Sequence, residues 1–222
     1  MTEKEQVFDI KCCRCSRLVE FRREVSKKHP GYYAAPVPAF GDVDPALLIV
    51  GLAPGMHGAH ATGRPFTGDD AGTMLYEVLF QYGFSSKPES HSADDELQLF
   101  NCCITNVVKC LPPQNRPLTA EVKQCNAFLV AELHALKKGG VVIALGTIAH
   151  AAVLRALGVK LKAYKFGHGE MHKLPGGLTM IDSYHCSRYN TQTKRLTKPM
   201  FQAVFASAKS KLSACHDTQR KL

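Results

Sequence analysis

Residues 47–72, LLIVGLAPGMHGAHATGRPFTGDDAG, join four apolar residues to a glycine-rich loop and the start of an amphipathic segment. A short continuous apolar run such as Leu47–Val50 reads as a strand buried on both faces, the kind found inside a parallel sheet. From Ala71 to Tyr82 the residues Met74, Leu75, Val78, Leu79 and Tyr82 fall on one helical stripe, and Gly83 stands where a helix ends. Between strand and helix, repeated glycines with Pro54 and Pro65 mark irregular backbone. The loop nevertheless carries His57, His60, Arg64, Phe66, Asp69 and Asp70, an inventory a plain connector does not need. Loops that leave a strand of an α/β sheet are held by a rigid scaffold and commonly bear function.

Working outward, the same alternation continues. Leu18, Phe21 and Val25 recur at helical spacing, and His29-Pro30-Gly31 ends that helix. Residues 1–11 read as a polar, frayed start, and Tyr32–Asp44 as a proline-rich surface connector. Ile104–Val108 reads as a second buried strand, starting as early as Leu99, and Ser85–Glu96 as a loop. Three prolines between Lys109 and Pro117 exclude regular structure there. A helix follows from Thr119, a fair N-cap, to about Lys138. Val141–Leu145 is the third strand, followed by a helix over Ile148–Leu157. Leu161–Phe166 alternates like an edge strand and His168–Gly177 reads as a turn. Thr179–Asp182 is the fourth strand, delivering Ser183–Thr197 as a loop, then a helix over Lys198–Leu212 and a loose basic tail over about 213–222. Strands alternating with helices predict right-handed crossovers and an α/β fold, a parallel sheet covered on both faces, in one domain spanning 1–222. Such sheets bind ligands at the carboxyl ends of their strands. The loops after strands one, two and four therefore gather His57, His60, Phe66 and Asp69; Asn106 and Asn115; and His185, Arg188 and Asn190.

Composition narrows the class. No apolar run reaches the eighteen or more residues of a membrane span, and MTEKEQVFDI lacks a signal-peptide core, so a cytoplasmic protein without a membrane partner is expected. The net charge of +9 concentrates near the two ends, in Arg14, Arg17, Arg22, Arg23, Lys27 and Lys28 and again from Arg188 to Lys221. A polyanion, nucleic acid first, fits that surplus; a merely solvated basic surface fits it equally. Nine cysteines without an export signal point to metal or redox chemistry rather than disulfides. Cys12-x-x-Cys15 opens an N-terminal Cys-rich segment, and Cys110 and Cys125 can join it, the latter from two turns inside a helix. Four thiolates suit structural zinc or an iron–sulfur cluster, and a CxxC does not separate the two. The bland alternative makes Cys125 an ordinary buried helix residue. Cys102 and Cys103 read as core.

The runs GLAPGMHGAHATGRPFTGDDAG, ITNVVKCLPPQNRP and SYHCSRYNTQTKRLT, with the early CxxC, resemble the uracil-DNA glycosylase superfamily, most closely its family 5. The resemblance runs from Cys12 to about Thr197. It implies a three-layer α/β/α sandwich around a four-stranded parallel sheet and a [4Fe-4S] cluster on Cys12, Cys15, Cys110 and Cys125, with structural zinc as the alternative. It also implies a monofunctional base-excision repair hydrolase that acts as a monomer on DNA containing uracil, with tolerance for hypoxanthine, ethenocytosine or mismatched thymine.

Roles follow for individual residues. A flipped base needs a stacking platform, and Phe66 supplies one. Asn106 offers both donor and acceptor to a uracil edge, with Asn115 as its rival. Amides near Ala53 and Gly55 can contact uracil oxygens, beside His57. His185 is expected to donate to the departing base as charge develops. Ser187, Arg188, Asn190 and Thr191 hold phosphate or wedge the duplex, and Lys194 and Arg195 add charge. Other families of the superfamily place a carboxylate directly after the opening glycine or one residue on; here Leu52 and Ala53 stand there. Water activation then falls to His57, His60, Asp69, backbone groups, or nothing. The last motif reads His185-Cys186-Ser187-Arg188 where relatives carry prolines. A second class of reading is a non-catalytic, metal-stapled nucleic-acid-binding module. Phosphate binding by the glycine-rich loop is disfavoured, since no Gly-Lys-Ser/Thr ends it.

Overall fold

In the computed structural model residues 8–219 are described, with side chains to Ala214. The chain builds, in order, α1 (Ser16–Lys28), β1 (Phe40–Gly41), β2 (Leu47–Gly51), α2 (Ala59–Thr62), α3 (Asp70–Gln81), β3 (Cys102–Asn106), α4 (Thr119–His134), β4 (Val141–Leu145), α5 (Thr147–Ala156), β5 (Met171–Lys173), β6 (Thr179–Ser183), α6 (Arg188–Gln192) and α7 (Lys198–Gln219). One sheet holds the strands in the order β1-β3-β2-β4-β6-β5.

The inner four strands are parallel and every residue in them is buried. Because side chains alternate across a strand, the apolar runs serve two cores at once. Leu47, Ile49, Ile104, Val141, Ile143 and Ile181 face Leu75, Tyr76, Val78 and Leu79 of α3 and Phe201, Val204 and Phe205 of α7. Leu48, Val50, Val142, Ala144 and Met180 face Leu18 of α1, Val122, Phe128 and Leu129 of α4, and Ala152 and Val153 of α5. Each such side chain contributes about 1.5–3 kcal/mol on burial, so an apolar stripe on a helix decides which sheet face it covers. The result is helices on both faces of a largely parallel sheet.

The expected four-stranded parallel sheet forms the centre of a six-stranded one, because β1 and β5 add short antiparallel edges. The expected edge strand at Leu161–Phe166 is instead a 3-10 turn over Leu161–Ala163. The pairing segment is Met171–Lys173, inside the stretch read as a turn; an edge strand is defined by its neighbour, and β6 pairs with it through His172↔Met180. The first residue with helical geometry in α4 is Thr119, so the cap is Leu118, whose amide is held by Glu121 Oε2 at 2.7 Å, and α4 ends at His134. The expected loose tail is helical to Gln219. Residues 220–222 of that tail and 1–7 of the polar start lie outside the described residues.

The strand order places a switch point at β2. The crossover from β2 leads to β3 on one side, and the chain then returns past β2 to β4 on the other. A crevice opens beyond the carboxyl ends of strands at such a point.

Candidate active site

A cavity of about 560 Å³ occupies that crevice. All four parallel strands send residues to it: Leu52, Ala53 and Gly55 after β2, Asn115 after β3, Leu145 to Ile148 at the end of β4, and His185 with Ser187 to Tyr189 after β6. Asp69, Asp70 and Ala71, where α3 begins, complete the lining. The α5 N-terminus opens directly into it, started by Gly146 at φ +96° with no side-chain cap. Its first amides and the helix dipole favour negative charge in the cavity.

Asp69 is held by the helix it starts. Its Oδ1 accepts from the Gly72 amide at 2.9 Å, the ordinary N-cap bond, which leaves Oδ2 on the side of the glycine-rich loop. A Cβ on Gly58 would lie 2.8 Å from Asp69 Cγ, and one on Gly55 3.2 Å from Oδ2, so those glycines make room for the carboxylate. Burial raises the Asp69 pKa, and the Gly72 and Ala71 amides act against that rise. The group is a half-buried carboxylate with one oxygen committed and one available.

His185 is the second polar group of the cavity. Burial pushes its pKa down to about 4, so at neutral pH the ring is uncharged and carries one N–H. Its Nδ1 is buried without a protein partner, and Asn190 Nδ2 donates to the His185 carbonyl at 2.9 Å, bracing the loop. Behind it stands Phe66, 6% exposed and in a left-handed conformation at φ +54°. The Phe66 and His185 rings lie 5.9 Å apart at 26°. Interleaving a base needs two contacts of about 3.5 Å each, so in this state the pair is closed. Phe66 therefore packs in the core, against the expectation of an open platform, and neither it nor Asn106 lines the cavity wall. Both converge on Gly51: a Cβ there would stand 2.6 Å from Phe66 Cζ and closer still to Asn106 Oδ1.

Two expected site residues lie elsewhere. His57 is exposed, its Nδ1 2.7 Å from the Tyr32 hydroxyl, with His29 stacked on Tyr32. His60 is fully buried on α2, both ring nitrogens lack a protein partner, and burial lowers its pKa to about 4. Neither touches the cavity. Arg64 is structural: it reaches Asp95 Oδ1 at 2.5 Å and the Ala93 carbonyl at 2.6 Å, tying down the loop before β3.

The rim is basic. Ser187 and Arg188 line the cavity, Arg188 making an exposed 3.5 Å pair with Asp70. Lys194 and Arg195 are exposed nearby in sequence, Arg195 lying over the Tyr184 ring at 4.8 Å. Of the N-terminal basic cluster, Arg17 is bound to Glu121 at 2.7 Å, Arg14 covers Phe128 and Arg22 points at Cys110, so part of that charge is spent inside the fold. Sequence reading missed two contributors. One is the β4–α5 corner, legible only as a strand-to-helix turn. The other is Tyr189, 70% exposed at the rim, whose signal was an aromatic flanked by polar residues in a functional-looking loop.

The four expected cysteines converge. Cys12, Cys15, Cys110 and Cys125 line one small hollow walled by Leu18, Val19, Pro36, Val108 and Phe128. The Lys109 amide donates to Cys125 Sγ at 3.3 Å, and Arg22 Nη1 to Cys110 Sγ at 3.8 Å. Burial raises the Cys110 thiol to about 12 and that of Cys125 to about 11. The residues thus fit a site that stabilises thiolates by a bound cation, with two donors already aimed at sulfur.

Comparison with known proteins agrees with this geometry. The sequence model of the uracil DNA glycosylase superfamily matches residues 38–209. A type-5 uracil-DNA glycosylase of Thermus thermophilus is 45% identical over 215 residues, 94% of this chain and 98% of its own. One of Pyrobaculum aerophilum is 43% identical over 203 residues, 90% of this chain and 88% of its own. A type-4 uracil-DNA glycosylase of the same organism is 33% identical over 170 residues, 76% of this chain and 77% of its own.

Proposed function

The chain belongs to the uracil-DNA glycosylase superfamily, alongside its type-5 members, and we propose that its cavity receives a base flipped out of DNA and hydrolyses the bond to its sugar. The observation that carries this reading is His185: a neutral imidazole with an unpartnered buried nitrogen, set at an uncapped helix N-terminus in a cavity ringed by Ser187 and Arg188.

The enzyme is a uracil-DNA glycosylase. The bond from C1′ to uracil N1 breaks with its electron pair going to the base, leaving an oxocarbenium-like sugar and a uracil anion. The His185 N–H donates to a uracil carbonyl oxygen as that charge develops, supported by the α5 amides. Asp69 Oδ2, free of the cap bond, offsets the sugar's positive charge and takes a proton from the water whose oxygen joins C1′. Phe66 and Asn106, meeting where Gly51 lacks a side chain, take the base face and its edge once the Phe66–His185 pair opens. Asn115 and the amides of Ala53 and Gly55 bound the opposite wall. Ser187, Arg188, Asn190, Lys194 and Arg195 hold phosphates, and Tyr189 fills the gap left in the duplex. His60 lies too deep to touch a base, and His57 is on the surface. Hypoxanthine, ethenocytosine and mismatched thymine are proposed as further bases, to be ranked by the same release assay.

We assign a [4Fe-4S] cluster to Cys12, Cys15, Cys110 and Cys125. Among the described residues no three of these sulfurs lie within 4.8 Å of one another. A single zinc with sulfurs at about 2.3 Å would draw them to about 3.8 Å. The cluster, when bound, supplies a crosslink between the start of α1, the loop after β3 and α4. The chain acts as one domain and as a monomer.

The test is uracil release from a duplex oligonucleotide under single-turnover conditions, with His185→Ala beside wild type. Wild type is expected to leave abasic sites and the variant to be slower by about 10²–10³. Equal affinity of the wild type for uracil-containing and ordinary duplex, with no base released, would sink the reading. Iron and acid-labile sulfide in brown protein support the cluster; a colourless protein with one zinc on the cysteines overturns it.

A further inference from the structure

We propose that His150, His172 and Asp182 form a second metal site, of the zinc class, separate from the cysteines and from the cavity. Their ligand atoms lie within 4.8 Å of one another, and among the described residues no other group of histidine, cysteine or carboxylate side chains meets that condition. The three come from different elements. Asp182 is on β6, wholly buried; His150 is on α5 and His172 on the edge strand β5.

The hydrogen bonds leave a place for a cation. Asp182 Oδ1 lies 2.8 Å from His150 Nδ1, and Oδ2 lies 2.9 Å from His172 Nε2 and 3.3 Å from the Gly167 amide. His150 Nε2 faces the Tyr164 carbonyl at 3.2 Å. A carbonyl oxygen only accepts, so in the tautomer that uses this contact Nε2 carries the ring hydrogen. The Nδ1 of a neutral His150 is then a lone pair aimed at a carboxylate oxygen, and two acceptors at that separation repel unless positive charge stands between them. A proton shared between ring and carboxylate, or a bound ion, removes that repulsion.

Several features favour the ion. Two imidazoles and a carboxylate are a common zinc donor set, leaving one position for water or the second carboxylate oxygen. A histidine that binds a metal ordinarily gives its other N–H to a backbone carbonyl or carboxylate, and Tyr164 provides that carbonyl for His150. The site is also shielded: Phe166 meets the His150 ring edge-on at 5.7 Å, and Tyr164 meets His172 at 5.8 Å. The ion would replace a proton and pin the three-residue strand β5 and helix α5 to β6, three residues ahead of His185.

The experiment uses the full chain, purified anaerobically with its cysteine site intact, stripped with a mild chelator and titrated with zinc against a chromophoric competitor. One zinc per chain is expected. Its X-ray absorption should show nitrogen and oxygen neighbours at about 2.0–2.1 Å with no sulfur. His172→Ala, on a half-buried edge position, should weaken binding at least about 100-fold while circular dichroism stays native. If that variant does not fold, the wild-type absorption spectrum decides alone. Absence of zinc beyond the cysteines, a sulfur shell at about 2.3 Å, or a folded His172→Ala chain binding zinc as wild type does would each overturn the site and leave a proton-held network.

Discussion

Gly51→Ala probes whether Phe66 and Asn106 serve the base. Gly51 ends β2 and pairs with Asn106 of β3, so an alanine is acceptable to the backbone. Its methyl is not: it would lie 2.6 and 2.7 Å from Phe66 Cζ and Cε2, where carbon contacts settle at about 3.5–4.0 Å. Phe66 must retreat by about 1 Å, and Asn106 with it. Overpacking of this kind costs about 1–3 kcal/mol. For a chain of this size that lowers Tm by about 2–12 °C. If Phe66 stacks the flipped base, the loss of about 1–3 kcal/mol of stacking reduces kcat/KM about 5- to 160-fold. The assay is single-turnover uracil release at a temperature well below the variant's Tm, paired with affinity for an abasic duplex that has no base to stack. Abasic binding should be unchanged. A variant with lowered Tm but wild-type uracil release, or one that loses abasic binding in the same proportion, would refute the assignment.

Other expectations are open to measurement. Asp69→Asn keeps the α3 cap, since asparagine caps as well as aspartate, so Tm should hold while kcat falls about 10²–10³-fold. Because burial raises the Asp69 pKa, the acid limb of kcat should begin above the ordinary carboxylate range and vanish in that variant. His60→Leu removes two orphaned ring nitrogens, so Tm by calorimetry should be unchanged or higher and activity retained. With a folded pKa near 4 against 6.5, His60 leaves the unfolded chain binding the extra proton as pH falls. Wild-type stability should therefore drop between about pH 6.5 and 4, and His60→Leu should lose on the order of 3 kcal/mol less of it. Tyr189→Ala should leave Tm unaltered, slow uracil release from duplex about tenfold or more, and spare single-stranded substrate, where no gap needs filling.

Much of this was legible before any coordinates, for a physical reason. Strands buried on both faces are mostly apolar, so β2 and β4 announce themselves outright, while β3 and β6 show only an apolar centre beside the buried polar Thr105, Asn106, Thr179, Asp182 and Ser183. Met171-His172-Lys173 carries no such mark, because its burial is one-sided and its strand character comes from β6. The cysteine set and the His185 loop were readable from spacing and motif. The placements of His57 and His60 were not: they sit three residues apart in an irregular loop, and only the short α2 turns one to solvent and the other into the interior. Phe66 reads as a stacking platform among glycines, yet those glycines let neighbouring side chains and backbone close over it. The His150, His172 and Asp182 group could not be read at all, since each residue taken singly resembles an ordinary helix, edge or core position.

The two shortest strands bear on how this protein behaves in storage and in a crowded cell. β1 and β5 span two and three residues, so neither end of the sheet offers a long ladder on which another copy could add a strand. At the β1 end the guard depends on Gly41, held at φ +128°, where a Cβ would fall 2.9 Å from the Cys103 α-carbon. A side chain there would lift the guard from β3, leaving unpaired backbone beside Cys102 and Cys103, thiols that burial otherwise keeps protonated and inert. Self-association and air oxidation would then begin at the same place, far from the cavity where activity is measured.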